Sequence, residues 1–330
     1  MRTVIVTTTI HVPVALIEYR KKCDCWFIVI GDKKTPKSVK KFCKNIDRCE
    51  YLDVEAQEEY LNKFPELAKY LPYNSIQRRN IGLLLAYERG FDKIITIDDD
   101  NFLESKLFLE LHQLGKQELN VIKSASGWYN VCKDLVDVKG REIFHRGYPL
   151  EVRDNPYTNT ESKEVNVVVN AGLWLGEPDL DAMTRLYWEA DPLESVYFNG
   201  MRFALEHGTW SPFNSQNTAL DRKVIPAYFL KPDIGRYDDI WASYIVKKIA
   251  DYLGDYIAYG EPLARQDRNE HDNWKDLAKE THLEDTLDFT TKLKDIQLTG
   301  RTYEECFKEI AESLNDKGLK VWVKTFQRLQ

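Results

Sequence analysis

The sequence predicts an α/β fold: a mixed sheet, parallel and Rossmann-like in its first part, with helices on its faces. Three observations predict it. Short β-branched runs at residues 4–8, 25–30 and 94–97 read as buried strands. Helical stretches at 14–22 and 74–90 fall between them, the alternation expected of a layered sheet. The third strand runs directly into Asp98-Asp99-Asp100, and the carboxyl edge of an open α/β sheet is where ligands bind.

The elements follow in order. The first strand ends in Thr7-Thr8-Thr9, which brings hydroxyls, Thr8 among them, to that ligand edge. The second is stopped by Gly31-Asp32, and Asp32 either accepts hydrogen bonds from a ribose or closes a turn. The 74–90 helix is capped by Asn74 or Ser75, carries Ile81, Leu84, Leu85 and Tyr87 on its apolar side, and ends at Gly90. Arg78 and Arg79 sit in its first turns, where the helix dipole disfavours cations. They await either a docked anion or nearby acids. Beyond residue 120 the rhythm changes, with strands at 120–123 and 165–169 and helices at 179–190, 218–225 and 238–253. This half, in a chain with 8 tryptophans and 18 tyrosines, suits an aromatic wall for a sugar or acceptor. Residues 1–280 form the ligand-binding domain, and 281–330 a charged helical extension with helices at 302–314 and 319–329.

Composition narrows the function. The chain has 330 residues, 43% hydrophobic and 30% charged, enough for a sizeable core. A formal charge of −7 without a basic block argues against nucleic acid or an anionic membrane as the main partner. The apolar runs are too short to cross a bilayer, and the chain opens on a strand rather than a leader, so a cytoplasmic location is expected. Six cysteines lack the spacing of a zinc site and read as reduced thiols.

The acidic triplet is the densest chemical signal. Three adjacent carboxylates repel unless they face water or hold a cation, and hard oxygens suit Mg²⁺ or Mn²⁺. In extended backbone Asp98 and Asp100 point to one side and Asp99 to the other, a two-carboxylate clamp. Three further segments concentrate unusual residues. In His145–Arg153, Gly147 and Pro149 fix the backbone between Arg146 and Arg153, whose forks suit a diphosphate or pair with surface acids. Asp238 and Asp239 open an amphipathic helix, where one serves as a cap and the other remains available as a base. His271, among acids, is a surface residue or a metal ligand.

Five ordered motifs carry a family resemblance across residues 1–280. They are Asp98-Asp99-Asp100; Arg146-Gly147-Tyr148-Pro149 continuing to Arg153; Gly172-Leu173-Trp174-Leu175 with Pro178-Asp179-Leu180-Asp181-Ala182; Ala219-Leu220-Asp221-Arg222-Lys223; and Ile234-Gly235-Arg236-Tyr237-Asp238-Asp239-Ile240-Trp241-Ala242. The chain resembles the reversibly glycosylated polypeptides, or UDP-arabinopyranose mutases, with a glycosyltransferase-A fold. Residues 29–36 and 71–75 look more like the related STELLO-type proteins, which suggests a microbial branch. The resemblance implies a UDP-sugar substrate with Mn²⁺ or Mg²⁺ on Asp98 and Asp100; His271 is a further metal-ligand candidate from its acidic surroundings alone. It implies reversible glycosylation at Arg146, an activity-supporting Arg153, and a nucleotide-sugar site including Thr8, Asp32, Arg78, Asp98, Asp99, Asn170, Gly172 and Trp174. Copies of such chains tend to associate. Leu150-Glu151 stands where plant members carry Phe-Ser, and Asn101 follows the triplet in place of cysteine. A conventional transferase acting on a separate glycan, lipid or protein acceptor is the alternative.

Overall fold

The structure, a computed structural model, describes residues 1–154, 156–189, 196–267 and 272–329. Its strands, in chain order, are β1 (Thr3–Thr8), β2 (Trp26–Ile30), β3 (Cys49–Leu52), β4 (Lys93–Thr96), β5 (Asn101–Leu103), β6 (Gly115–Ser124), β7 (Leu135–Asp137), β8 (Thr158–Gly176), β9 (Val196–Phe198), β10 (Phe203–Leu205), β11 (Thr218–Asp221) and β12 (Tyr256–Gln266). All but β7 and β9, which pair with each other, join one ten-stranded sheet in the order β3-β2-β1-β4-β11-β8-β6-β10-β12-β5. β3, β2, β1 and β4 are parallel neighbours, the 3-2-1-4 order of a nucleotide-binding half. β11 then enters antiparallel to both β4 and β8, and the sheet becomes mixed. The Rossmann-like mixed sheet flanked by helices is therefore as the sequence implies.

The strands form because both faces of the sheet are covered. Ile94 and Ile95 are fully buried, and Val4, Ile5 and Val6 beside them show no exposed surface. The helix Arg79–Glu88 covers one face, preceded by the 3₁₀ turn Ile76–Arg78 that the Ser75 hydroxyl caps at Gln77 N. Gly82 lets it sit low: a Cβ there would lie 2.6 Å from Val6 Cγ1. That close approach delivers Arg79 to the carboxyl ends of β1 and β4.

One expected element is corrected. Residues 218–225 are not a helix. Thr218–Asp221 is β11, with Thr218 opposite Thr96 and Asp221 opposite Lys93, followed by the 3₁₀ turn Arg222–Ala227. Pro226 excludes a continuing α-helix, and the fully buried Ala219 and Leu220 pack on opposite faces of the sheet. The helix expected at 179–190 is shorter, Ala182–Tyr187, with Asp181 capping Thr184 N at 2.7 Å. The long helix Asp238–Leu253 has the expected bounds and ends on Gly254 in the left-handed region.

The aromatic wall is also corrected. Trp128, Trp210, Tyr148 and Tyr244 are core residues in mutual ring contact, with centroids 5.9–6.5 Å apart. The helices Tyr303–Ser313 and Lys317–Gln327 share the core of the sheet. Trp322, fully buried, stacks 4.8 Å from Phe229, and Phe326 meets Tyr87 at 4.9 Å. No helix among the described residues is long and apolar enough to cross a membrane.

Candidate active site

A cleft of about 610 Å³ opens at the carboxyl edge of β1 and β4. Thr8, Asp98, Asp99 and Asp100 line one side; Arg146, Asp179, Asp238 and Asp239 line another. Gln77, Ser215, Gln216, Arg236 and Lys279 also contribute. No Trp, Tyr or Phe of the described residues is among the lining side chains, so the cleft is a polar, charged one.

Because β4 ends at Thr96, the triplet lies beyond the strand and the two-sided alternation does not hold. All three aspartates line the cleft. Asp98 accepts from Arg79 Nη2 and from Gln216 Nε2, both at 2.5 Å. Asp99 accepts from the Thr9 hydroxyl at 2.5 Å, and burial raises its carboxyl above the ordinary range. Arg79 has no exposed surface. Its guanidinium reaches the Ser215 carbonyl (2.9 Å) and hydroxyl (2.6 Å), the Ile97 carbonyl (3.1 Å) and the Thr8 hydroxyl (3.3 Å) besides Asp98. The acids, not a docked anion, therefore explain this arginine at a helix start.

Across the cleft Arg146 is 7% exposed and sits in a fork of two carboxylates. Nε donates to both oxygens of Asp179 at 2.9 and 3.1 Å, Nη2 lies 2.9 Å from Asp179 and 3.1 Å from Asp239, and Nη1 donates to the Arg236 carbonyl. Burial acts to lower the Arg146 pKa, but the charges of Asp179 and Asp239 outweigh it and raise it further. Reciprocally, burial would raise Asp179, but Arg146 overrides it and holds that carboxyl well below the ordinary range. Gly147, at φ +77°, has Ile240 packed where a Cβ would stand, so the chain after Arg146 requires glycine. Asp238 faces Gln77 Nε2 at 2.7 Å, and burial together with the charge of Asp239 raises its pKa to about 7. Neither aspartate caps its helix through the side chain; Tyr237 holds the cap position.

The donor set fits a hard divalent cation. Mg²⁺ and Mn²⁺ take one or two carboxylates and complete their shell with water and phosphate, and Asp98 and Asp100 both line the cleft. Among the described residues no group of three His, Cys, Asp or Glu gathers to hold an ion alone, so part of the shell must come from ligand or solvent. His271 lies outside the described residues.

The chain's family follows from comparison with known proteins. A family model described as reversibly glycosylated polypeptide matches residues 3–329. This chain belongs to that family. Among its relatives in the reversibly glycosylated polypeptide family, UDP-arabinopyranose mutase 3 of Arabidopsis thaliana is 29% identical over 263 residues, 72% of this chain and 68% of the relative. UDP-arabinopyranose mutase 1 of the same plant is 31% identical over 238 residues, 68% of this chain and 62% of the relative. The probable UDP-arabinopyranose mutase 1 of Zea mays is 34% identical over 177 residues, 51% and 45%. The matched stretches thus span about two thirds or less of those relatives. Among solved structures, glucosyl-3-phosphoglycerate synthase of Mycobacterium tuberculosis in complex with Mn²⁺ and UDP-glucose matches with 11% identity and a TM-score of 0.41, over 88% of this chain and 76% of that one.

Of the residues singled out in this family member's sequence, the cleft gathers Thr8, Asp98, Asp99, Asp100, Arg146, Asp238 and Asp239. The others stand elsewhere. Asp32 closes a turn, accepting from Lys33 N at 2.7 Å and Ser75 N at 3.1 Å. Arg78 donates to Gln57 at 2.7 Å and lies over the Tyr73 ring. Arg153 pairs with Asp181 at 2.8 Å over the Phe144 ring. Asn170 binds Arg202 and His112 within the sheet; Gly172 makes room for Asn217, and Trp174 is buried against His145. Arg79, noted beside Arg78, Asp179, noted within a motif, and Ser215 and Gln216, which had not been singled out, complete the site. Only helix phase could have chosen Arg79 over Arg78, and the run 214–217 carries no periodic signal.

Proposed function

We propose that this chain is a metal-dependent UDP-sugar mutase of the UDP-arabinopyranose type, which passes the sugar reversibly through Arg146. The observation that carries the reading is that Arg146 and the Asp98–Asp100 triplet line one cleft. The names of its relatives point the same way.

In this reading the uridine diphosphate lies at the triplet, where Asp98 and Asp100 would hold Mn²⁺ or Mg²⁺. The metal would supply positive charge to the departing diphosphate. Lys279, at the cleft wall, adds to it, whereas Arg236 beside it is already paired with Asp276 and Glu280. The bond from the anomeric carbon to the diphosphate oxygen breaks, its electron pair leaving with UDP. An Arg146 nitrogen forms the new bond to that carbon. A guanidinium has no free lone pair at neutral pH, so one N–H proton must leave as attack proceeds. Asp239, 3.1 Å from Nη2, is placed to take it, whereas Asp238 faces Gln77. The return reaction gives the sugar back to UDP, and a ring that opens and recloses while tethered comes back as the furanose. Every UDP-sugar offers the same diphosphate, so cleft shape selects among arabinose, xylose, glucose and galactose.

A second reading has its own observation. Two carboxylates hold Arg146 firmly protonated, which suits a purely electrostatic role in a conventional transferase. Intact mass after incubation with UDP-arabinopyranose and Mn²⁺ separates the two. A gain of one sugar, reversed by excess UDP and lost in Arg146→Ala, supports the mutase. Stable transfer to an added acceptor by an unmodified protein supports the transferase.

A further inference from the structure

The two sides of the cleft are joined by a closed circuit of hydrogen bonds, with residues 214–216 as its bridge. One arm runs from Arg146 Nη2 to Asp239 Oδ1 (3.1 Å), from Asp239 Oδ2 to the Ser215 hydroxyl (3.0 Å), from that hydroxyl to Arg79 Nη1 (2.6 Å), and from Arg79 Nη2 to Asp98 Oδ1 (2.5 Å). The other returns from Asp98 Oδ2 to Gln216 Nε2 (2.5 Å), from Gln216 Oε1 to Asn214 Nδ2 (3.3 Å), and from Asn214 to Asp179 Oδ2 (2.8 Å), which holds Arg146. Every bridge residue is buried: Asn214 is 1% exposed, Ser215 3% and Gln216 7%.

The first arm has a fixed direction. A guanidinium only donates, so the Ser215 hydroxyl accepts from Arg79 and must spend its single proton on Asp239. The Ser215 backbone N–H donates to the same carboxylate oxygen at 2.9 Å. Asp239 Oδ2 is thereby held by two donors, and Oδ1 is left turned towards Arg146. Arg79 is in turn oriented by Asp98, the carboxylate at the opposite side of the cleft.

We propose that Ser215 is a positioning residue, locking Asp239 onto the Arg146 guanidinium in a direction set by the Arg79–Asp98 pair. The proposal rests on the functional reading above and deepens it: Asp239 is the acid–base partner of Arg146, and Ser215 fixes which of its oxygens does the work. Without the hydroxyl, Asp239 keeps one donor on Oδ2, Arg79 Nη1 keeps only the Ser215 carbonyl, and the carboxylate gains freedom to turn. Misplacement of an acid–base group on this scale costs about tenfold or more in rate. Ligand grip at the triplet should change less than sugar uptake, because Ser215 does not touch Asp98 and Arg79 keeps Asp98 and the Ile97 and Ser215 carbonyls.

The test compares Ser215→Ala and Ser215→Thr with the unaltered protein, all checked for the same thermal midpoint. An arginine-directed dicarbonyl reagent is applied without substrate, and labelling at Arg146 is read by peptide mass mapping. In parallel, sugar uptake from UDP-arabinopyranose with Mn²⁺ is timed, and UDP affinity is measured by calorimetry. Ser215→Ala should label Arg146 several times faster and take up sugar about tenfold more slowly, with UDP affinity falling by clearly less than the uptake rate. Ser215→Thr, which keeps the hydroxyl, should restore both. Labelling of Arg146 in Ser215→Ala at the original rate overturns the proposal, and so does a Ser215→Thr variant that behaves like the alanine. If the unaltered protein takes up no sugar, the functional reading fails, while the labelling contrast still decides the role of Ser215.

Discussion

At the scale of single residues the site is organised by paired charge. Arg146 is buried with two carboxylates, and Asp179 makes the closer set of charge-assisted contacts while Asp239 still balances the charge when it is replaced. Asp179→Asn should therefore destabilise the fold by about 1.5–3 kcal/mol, read from the urea midpoint. Asp238 gives a pH signature. Burial and its neighbour Asp239 raise its pKa to about 7, against about 4 for a free aspartate. The folded chain keeps this proton where the unfolded chain has lost it. The stability it contributes is full below about pH 4 and is lost as pH rises towards 7, at about 1 kcal/mol per unit, then level beyond. Comparing unfolding of Asp238→Asn and the unaltered protein at pH 5 and pH 8 checks this, because the variant should gain relative stability at the higher pH. Parallel profiles would remove the raised pKa. At this scale the sequence was informative where charge density was unusual, as at 98–100, 146 and 238–239. It was silent where a role depends on helix phase, as for Arg79 against Arg78, or on an uncharged loop, as for Ser215 and Gln216.

At the scale of elements, what positions the site is the close seating of the helix Arg79–Glu88 on β1 and β2. Gly82 makes that possible, with Val6 and Ile30 below it. Gly82→Val should lift the helix and carry Arg79 away from Asp98. Overpacking of this kind costs about 1–3 kcal/mol, and the loss of UDP affinity should exceed what that destabilisation explains. Calorimetry with UDP on the folded variant makes the comparison. β1, β2, β4 and the 238–253 helix were legible because their apolar pattern was clear, although Tyr237 rather than an aspartate holds the helix cap position. β11 was misread because four residues buried on both faces carry no period of two, and its partners β4 and β8 are distant in sequence.

At the scale of the whole molecule, the C-terminal helices are packed into the main core rather than appended to it. Trp322 has no exposed surface and stacks on Phe229, which follows the 3₁₀ turn after β11. Trp322→Ala should cost about 3–5 kcal/mol and broaden unfolding of the entire chain, not of a separate segment. Nothing in the charged, helical sequence after 280 announces that burial, since an amphipathic stripe does not name its partner. The cleft, in contrast, gathers motifs more than a hundred residues apart, and their common chemistry made them readable before their proximity was seen. A crystal soaked with Mn²⁺ and a non-transferable UDP-sugar analogue tests the account most directly. It should place the anomeric carbon within about 3.5 Å of an Arg146 nitrogen, with the diphosphate at Asp98–Asp100. An anomeric carbon directed away from Arg146, with that side chain still locked between Asp179 and Asp239, would contradict it.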